Sequence, residues 1–358
     1  MKPHRIFEVF SLVIGLLPHV LIAETTSLVL TSDLVQIEGR VQREADGSVI
    51  ASFPGVTIDI AFEGEGLDLI VEALQSDLFL DVSVDEGPFR WIPLEEGTQT
   101  VRLAEGGSGI HRVRIVRRNE TWQGMLRFKS LSLEQGEWNP APERPERRLL
   151  FIGDSITCGS ACDIREGGPT EGGFTHNARL SYGYRIARML DAQVHLVSYG
   201  GRGVIRDWQG NRATNNAPQF YERTLADDPE SRWDHTVYVP DVVGICLGTN
   251  DFSRGIPDQN EFVNAYVELV RKVMRDAPEA TVFLIESPMF GLEGADGVKR
   301  SALNHYLKQV VEFVGSERVQ FLKLGHFPGR PEDAHPVASE HEEIARQLAP
   351  SFREALER

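Results

Sequence analysis

The sequence predicts a two-domain α/β protein: an N-terminal all-β sandwich of jelly-roll type, then an α/β/α domain with a five-stranded parallel sheet. Three observations predict this. Apolar residues alternate with polar ones from about 28 to 138, three prolines follow in 139–146, and apolar strands then alternate with helical periods. We place the domains at 24–140 and 148–358, joined by a linker at 141–147. A chain of 358 residues is long enough to bury two cores.

The first domain is predicted to be antiparallel because its apolar residues recur every second position, as in half-buried strands. Glu-Gly, Gly-Gly and Asn-Glu pairs mark turns between the runs, and no helical period appears. The predicted strands are 56–62, 67–71, 78–84, 98–103, 111–116 and 125–133.

The second domain is predicted to be parallel because each apolar run is followed by an amphipathic stretch, and repeated βα units bury a parallel sheet on both faces. The predicted strands are 149–152, 194–197, 241–247, 281–285 and 319–324, and the clearest helices are 261–275 and 302–314. A further helix is predicted to start near Val337. The three prolines of 139–146 predict a stiff, extended segment between the two domains.

The first 23 residues are predicted to be a secretory signal peptide, since a basic start precedes a mostly apolar run at 6–23. Cleavage is expected after Ala23. The alternative is a membrane anchor, but Glu8, Pro18 and His19 interrupt a run that barely reaches the ~20 apolar residues of a spanning helix. We therefore expect a secreted or periplasmic protein with no membrane association after cleavage.

Charge and cysteine content narrow the range of partners. A net charge of −16 disfavours nucleic acid and anionic membranes, which require clustered Lys and Arg, and leaves neutral substrates as the easier fit. Three cysteines are too few for a disulfide scaffold, and packing is their default role. Cys158 and Cys162 are close enough in sequence to pair, although four residues apart on a helix is poor disulfide geometry, so the pair stays open.

Chemically useful side chains follow the predicted strands of the second domain. Loops after parallel strands meet at one edge of the sheet, so residues far apart in sequence converge there. The set combines a hydroxyl, a backbone donor, an amide, a carboxylate and an imidazole, which suits acyl transfer. These residues are Ser155, Gly201, Asn250, Asp333 and His335.

Each of these signals is weak alone. Ser155 could only cap a helix, Gly201 could only form a turn, and Asn250 could only cap the turn that follows its strand. A histidine before a helix is more often unremarkable than catalytic. The argument lies in finding all of them in order and at strand ends.

That order resembles the SGNH (GDSL-like) hydrolases, and the β-sandwich ahead of it resembles carbohydrate esterase family 2. The resemblance covers nearly the whole mature chain. It is carried by these stretches: Arg-Arg-Asn-Glu-Thr-Trp-Gln-Gly at 117–124, Gly-Asp-Ser-Ile-Thr-Cys-Gly at 153–159, Leu-Ser-Tyr-Gly at 180–183, Tyr-Val-Pro-Asp-Val at 238–242 and Leu-Gly-Thr-Asn-Asp-Phe at 247–252. Two departures stand out. The second block commonly reads Ser-Gly-x-Gly in the family but is Gly-Gly-Arg-Gly at 200–203 here, and Asp333 precedes His335 by only two positions.

The resemblance implies an acetylesterase that removes O-acetyl groups from plant polysaccharides such as xylan and glucomannan, often at the primary 6-hydroxyl of a hexopyranose. No metal or organic cofactor is implied, and we expect a monomer. His335 would take the proton of Ser155 while Asp333 orients the imidazole. The backbone N–H groups of Ser155 and Gly201 and the Asn250 amide would form the oxyanion hole.

Candidate sugar contacts are Trp122, Trp208 and Arg202. The tryptophans are candidates because aromatic faces pack on pyranose rings, and Arg202 because it could contact sugar hydroxyls. Core or interdomain packing is the commoner role of such tryptophans. Asp207 is a further candidate for contacts with sugar hydroxyls. The ordinary interpretation of both Arg202 and Asp207 is a charged side chain that is exposed to solvent.

Two rival functions stay open at the level of sequence. A lipid esterase or thioesterase on the same catalytic domain would prefer long acyl chains. A carbohydrate-binding protein with a vestigial hydrolase domain would bind glycans through residues 24–140 without hydrolysing esters.

Overall fold

The computed structural model describes residues 25–164 and 171–358. The predicted signal peptide lies outside the described residues. No helix among the described residues combines the length and the apolar composition that a membrane span requires.

The first half of the chain is antiparallel, as predicted. Its strands belong to one hydrogen-bonded ten-stranded sheet, in which the central β5 pairs with β8 and β9. One apolar core is formed by residues of these strands, among them Ile58, Leu69 and Ile115. The strands are β1 (Thr25–Val29), β2 (Gln36–Glu38), β3 (Gln42–Arg43), β4 (Val49–Ala51), β5 (Thr57–Ala73), β6 (Leu78–Val84), β7 (Arg90–Leu94), β8 (Gly97–Arg117), β9 (Leu126–Glu134) and β10 (Glu137–Asn139).

Two long strands replace pairs of shorter ones predicted from the sequence. β5 joins the predicted strands 56–62 and 67–71, and β8 joins 98–103 and 111–116. The glycines between those runs indicated turns. In the structure they sit opposite each other where the register shifts, and a Cβ on Gly106 would lie only 1.7 Å from the carbonyl oxygen of Gly64. Glycine here permits close approach at a bulge instead of ending the strand.

The second half carries the predicted five-stranded parallel sheet, in the order β12-β11-β13-β14-β15. Its strands are β11 (Arg147–Gly153), β12 (Ala192–Ser198), β13 (Val242–Cys246), β14 (Thr281–Ile285) and β15 (Val319–Leu322). Its helices are α1 (Ser155–Cys158), α2 (Tyr182–Met189), α3 (Ala217–Phe220), α4 (Gln259–Asp276), α5 (Gly294–Val314) and α6 (Ala338–Leu356). Short 3₁₀ helices span Thr121–Gln123, Gly173–Thr175 and Ala178–Leu180.

Both faces of this sheet are covered, which explains its nearly continuous apolar strands. Leu150 and Ile152 of β11 share a core with residues of α4 and α5. Leu149 and Phe151, which alternate with them, share the opposite core with residues of α2 and α6. The alternation along one strand thus places helices on both sides and leaves the strand ends to form the site.

The three cysteines, Cys158, Cys162 and Cys246, are buried and free. The Cys158 thiol donates to the hydroxyl of Ser198 at 3.2 Å, and the Cys162 thiol donates to the carbonyl of Asn177 at 3.4 Å. Cys158 and Cys162, whose pairing the sequence left open, therefore do not form a disulfide.

Candidate active site

Ser155 lies where β11 ends and α1 begins. Asp154 caps this short helix, accepting a hydrogen bond from the backbone N–H of Ile156 at 3.0 Å. Ser155 itself is 9% exposed. The apolar strand therefore ends by presenting one hydroxyl at the carboxyl edge of the sheet, where α/β proteins bind ligands.

His335 connects Ser155 to Asp333 through its two ring nitrogens. Nε2 lies 2.8 Å from Ser155 Oγ, and Nδ1 lies 2.5 Å from Asp333 Oδ1. The same carboxylate oxygen also accepts a hydrogen bond from the backbone N–H of His335 at 3.0 Å. Two hydrogen bonds therefore hold the Asp333 side chain against His335. The close spacing of Asp333 and His335 is thus sufficient for contact without an intervening helical turn. This geometry allows proton transfer from the serine to the histidine.

The charges around His335 favour its protonated form. Burial alone would lower the pKa of His335, but the hydrogen bond and charge of Asp333, assisted by the charges of Glu120 and Asp154, raise it above its ordinary value. The hydrogen bond from His335 in turn lowers the pKa of Asp333. An imidazolium formed after removal of the serine proton would therefore be stabilised.

Two backbone N–H groups at the site are available to an anion. No described residue accepts a hydrogen bond from the N–H of Ser155 or of Gly201. Gly201 has φ +77°, and a Cβ there would lie 2.8 Å from Trp208 Cδ1, so this position favours glycine both conformationally and sterically. Asn250 is nearby but engaged, because its Nδ2 lies 3.2 Å from Asp154 Oδ2 and 2.9 Å from the carbonyl of Arg202.

Asp251 holds the loop that carries Gly201, a role the sequence analysis did not assign. Its fully buried carboxylate accepts backbone N–H groups from Val204, Ile205 and Arg206 at 2.8–3.2 Å. Burial raises the pKa of Asp251 to about 6 despite these bonds. Burial likewise raises the pKa of Asp154 to about 7. Both acids belong to motifs quoted above, but the loop held by Asp251 and the Asn250 amide that donates to Asp154 are distant from them in sequence.

A cleft of about 990 Å³ contains Ser155, His335 and Asp333. Trp122 and Trp208 also line it, and they are 56% and 52% exposed. Core packing, one part of the alternative interpretation, is therefore wrong, because both side chains are half open to solvent; interdomain packing holds in part for Trp122, whose ring meets His176 of the second domain edge to face. Exposed aromatic faces of this kind are available to pack against a ligand.

Arg202 and Asp207 lie in the same cleft but interact with each other. The Arg202 guanidinium lies 3.5 Å from Asp207 Oδ2 and over the ring of Tyr199 at 4.8 Å. Asp207 is 4% exposed and accepts the backbone N–H groups of Gln209 and Asn211. The interpretation of Asp207 as a solvated surface residue is thus wrong. Asp207 instead stabilises the turn that follows it.

The motif at 117–124 carries the first domain into this cleft. The fully buried Arg117 donates to the carbonyls of Asn119, Glu120 and Gly124, which holds the loop in shape. The Thr121 hydroxyl donates to the carbonyl of Ser198 at the end of β12 at 2.6 Å. The loop is therefore anchored to the carboxyl edge of the parallel sheet, close to Ser155.

Glu120 and His176, absent from the sequence prediction, are brought to the cleft wall by this arrangement. The motif contained Glu120 without indicating a role, and no sequence signal singled out His176. A separate group, Glu222, His235 and Asp276, has ligand atoms within 4.8 Å of one another, but none of the three lines the cleft. Glu222 pairs with Lys272 at 3.0 Å, and that cluster has the character of a surface charge network.

Two family models match this chain. A model of the GDSL-like lipase/acylhydrolase family matches residues 151–344, and a model of the carbohydrate esterase 2 N-terminal domain matches residues 37–142. A parallel sheet that presents a serine at its carboxyl edge, together with the first match, defines an acylhydrolase of the GDSL-like class, a carboxylic ester hydrolase.

Relatives of known activity extend along almost the whole chain. It is 37% identical over 339 residues to an acetylxylan esterase/glucomannan deacetylase of Cellvibrio japonicus, covering 94% of this chain and 93% of the relative. A structure of a family two carbohydrate esterase from the same organism superimposes with a TM-score of 0.89 and 37% identity over 94% of this chain and 99% of that one. A Clostridium thermocellum family two esterase in complex with cellohexaose gives 0.82 and 28% identity over 90% and 99%. The chain belongs to carbohydrate esterase family 2.

Proposed function

We propose that this enzyme removes O-acetyl groups from plant cell-wall polysaccharides or their fragments, with xylan and glucomannan as the first candidates. The activity named for the Cellvibrio japonicus relative supports the substrate class. The observation that carries the reaction is His335, which lies between the Ser155 hydroxyl and the Asp333 carboxylate. The acetyl position on the sugar, including the 6-hydroxyl, is part of the same proposal.

In the proposed reaction, His335 Nε2 takes the Ser155 proton as Oγ attacks the acetyl carbonyl carbon. Asp333 keeps the proton on Nδ1 and stabilises the imidazolium. The tetrahedral intermediate collapses when the imidazolium protonates the departing sugar oxygen, leaving acetyl-serine. His335 then activates a water, which releases acetate and restores the serine.

The oxyanion is proposed to lie against the backbone N–H groups of Ser155 and Gly201, since both lack an acceptor among the described residues. Asn250 is proposed as the third donor, which requires one amide hydrogen now directed to Asp154 or to the Arg202 carbonyl to be shared with the substrate. Loss of one such donor typically costs about 2.7–4 kcal/mol of barrier.

Sugar binding is proposed to involve Trp122 and Trp208, with Arg202 able to donate to hydroxyls. Their place in the cleft with Ser155 supports this role. We also propose that the protein acts as an exported monomer after cleavage near Ala23. N-terminal sequencing of the native protein and its sedimentation in solution test those two points.

The test is acetate release from acetylated xylan, acetylated glucomannan and 4-nitrophenyl acetate by wild type, Ser155→Ala and Ser339→Ala. Ser339 is an exposed residue of α6 and serves as the matched control. We expect Ser155→Ala to lose turnover on all esters while Ser339→Ala retains it. Undiminished hydrolysis by Ser155→Ala would overturn the assignment of the nucleophile. On a series of 4-nitrophenyl esters of increasing chain length, preference for long acyl chains would overturn the acetyl specificity.

A further inference from the structure

A second carboxylate–imidazole pair lies in the wall of the cleft, separate from the pair formed by Asp333 and His335. Glu120 comes from the loop between β8 and β9, and His176 follows the 3₁₀ helix Gly173–Thr175. His176 Nδ1 lies 3.0 Å from Glu120 Oε1, which also accepts a hydrogen bond from the hydroxyl of Ser160. None of these three side chains touches the reacting atoms in the proposed reaction; Glu120 contributes only its charge, which helps to raise the pKa of His335.

The surroundings of Glu120 determine which nitrogen of His176 carries hydrogen. Glu120 is 1% exposed. Burial alone would raise its pKa, but hydrogen bonds from His176 and Ser160 and the charge of the histidine lower it, so the carboxylate is ionised. An ionised carboxylate only accepts, which places a hydrogen on His176 Nδ1. The backbone N–H of Ala161 also lies 3.3 Å from Nδ1, but that contact is longer and involves no charge.

The other nitrogen of His176 is open to the cleft. Nε2 has no hydrogen-bond partner among the described residues, yet it does not belong to the polar atoms that are sealed from solvent. The side chain is 14% exposed and lines the cleft with Ser155. With Nδ1–H held by Glu120, Nε2 is the ring nitrogen left to hydrogen-bond with a ligand in the cleft.

An exposed aromatic ring lies beside His176. The rings of Trp122 and His176 meet edge to face, with centroids 6.0 Å apart and an interplanar angle of 87°. A sugar ring offers both an apolar face and hydroxyl donors. The two side chains provide complementary surfaces for them.

Gly200, the residue before Gly201, makes room for this pair. A Cβ on Gly200 would lie 2.0 Å from Glu120 Oε2 and 3.1 Å from Trp122 Cδ1. A side chain at position 200 would therefore compete for space with the carboxylate of Glu120. Gly200 has no positive φ, so a small side chain there would act through the steric clash alone.

We propose that His176, held by Glu120, is a specificity-determining residue whose Nε2 forms a hydrogen bond with a free hydroxyl of the acetylated saccharide while Trp122 packs on the sugar ring. This inference rests on the proposed function. It gives the first domain a direct part in substrate selection, because Glu120 and Trp122 come from that domain and His176 from the second.

The test compares kcat/KM on an acetylated xylo-oligosaccharide with kcat/KM on 4-nitrophenyl acetate, which has no sugar hydroxyl. His176→Phe keeps a flat ring beside Trp122 but removes the ring nitrogen that would hydrogen-bond with the sugar. Gly200→Ala keeps every polar group but displaces the Glu120 carboxylate. His305→Phe, at an exposed position of α5, is the matched control. We expect the saccharide-to-synthetic ratio to fall roughly three- to tenfold in the first two variants, as for loss of one hydrogen bond, and to stay at the wild-type value in the control.

Each outcome decides the matter. A lowered ratio in His176→Phe and in Gly200→Ala supports the proposal, and thermal unfolding of both variants identifies any loss of fold. If Gly200→Ala folds and keeps the wild-type ratio, or if both esters lose activity equally, the pair has a structural role and the proposal is overturned. Wild-type enzyme that hydrolyses 4-nitrophenyl acetate but no acetylated saccharide would instead overturn the proposed function itself.

Discussion

Replacement of Asp333 by Asn tests how the proposed base is supported. Asn keeps an oxygen at the position of Oδ1, so it can still accept the hydrogens of His335 Nδ1 and of its backbone N–H, now 2.5 and 3.0 Å away. The tautomer of His335 is therefore retained. What disappears is the negative charge.

The magnitude follows from the type and exposure of this hydrogen bond. Bonds to charged groups contribute about 1.5–3 kcal/mol and neutral ones about 0.5–1.5 kcal/mol, so loss of the charge removes on the order of 1–1.5 kcal/mol. The Asp333 side chain is 41% exposed, and solvent screening favours the lower end. We expect kcat to fall about tenfold, since each 1.36 kcal/mol of barrier is a factor of ten. His335→Ala removes the base itself and is expected to lose far more.

The pH profile gives a second readout. His335 acts as a base only when neutral, so activity falls as pH drops through its pKa. Because Asp333 raises that pKa, Asp333→Asn lowers it and moves the acidic limb of kcat/KM to lower pH. The assay is 4-nitrophenyl acetate hydrolysis over a pH series. Equal losses in Asp333→Asn and His335→Ala, or an acidic limb that does not move, would refute this reasoning.

Three further predictions concern the loop, the buried ion pairs and the thiols. Gly201→Ala places a Cβ at φ +77° and against Trp208, so we expect about 1–3 kcal/mol of strain and at least a tenfold lower kcat, checked by thermal unfolding and steady-state kinetics. An unaltered kcat would contradict the close approach. Arg118→Ala removes the cation 2.9 and 2.7 Å from the buried Asp81 and Asp163 carboxylates, while Arg179 stays 2.8 Å from Asp81 and Asn177 still donates to both, so we expect the unfolding free energy to drop by about 3 kcal/mol, the lower end for a broken buried ion pair, in denaturant titrations. The three buried thiols are expected to react with a thiol reagent only after unfolding, without reductant; fewer than three reactive groups would indicate a disulfide.

Much of the architecture could be predicted from local patterns. The strand predicted at 281–285 coincides with β14 (Thr281–Ile285), and the helix predicted from Val337 begins at Ala338. Local periodicity records which faces of a strand or helix are buried, so element type follows from it. The same logic failed at Gly64 and Gly106, because a glycine at a bulge and a glycine at a turn look alike in sequence.

The site residues could also be predicted from the sequence, for a related reason. Ser155, Gly201 and Asn250 each follow a strand, and parallel strands bring their carboxyl ends together whatever the spacing in sequence. The exposure of Trp122 could not be read in this way. A tryptophan in a loop is buried or open depending on what packs over it.

The sequence by itself determined the two fold classes, the family and the order of the chemically active residues, because strand periodicity and local motifs are written along the chain. Only the tertiary structure decided that Asp251 holds the Gly201 loop, that the cysteines stay unpaired, and that Glu120 meets His176 in the cleft. Those contacts join residues from separate elements, and in the last case from separate domains. The geometry of such contacts depends on how separate elements pack together, and for Glu120 and His176 on how the two domains dock, which no local pattern records.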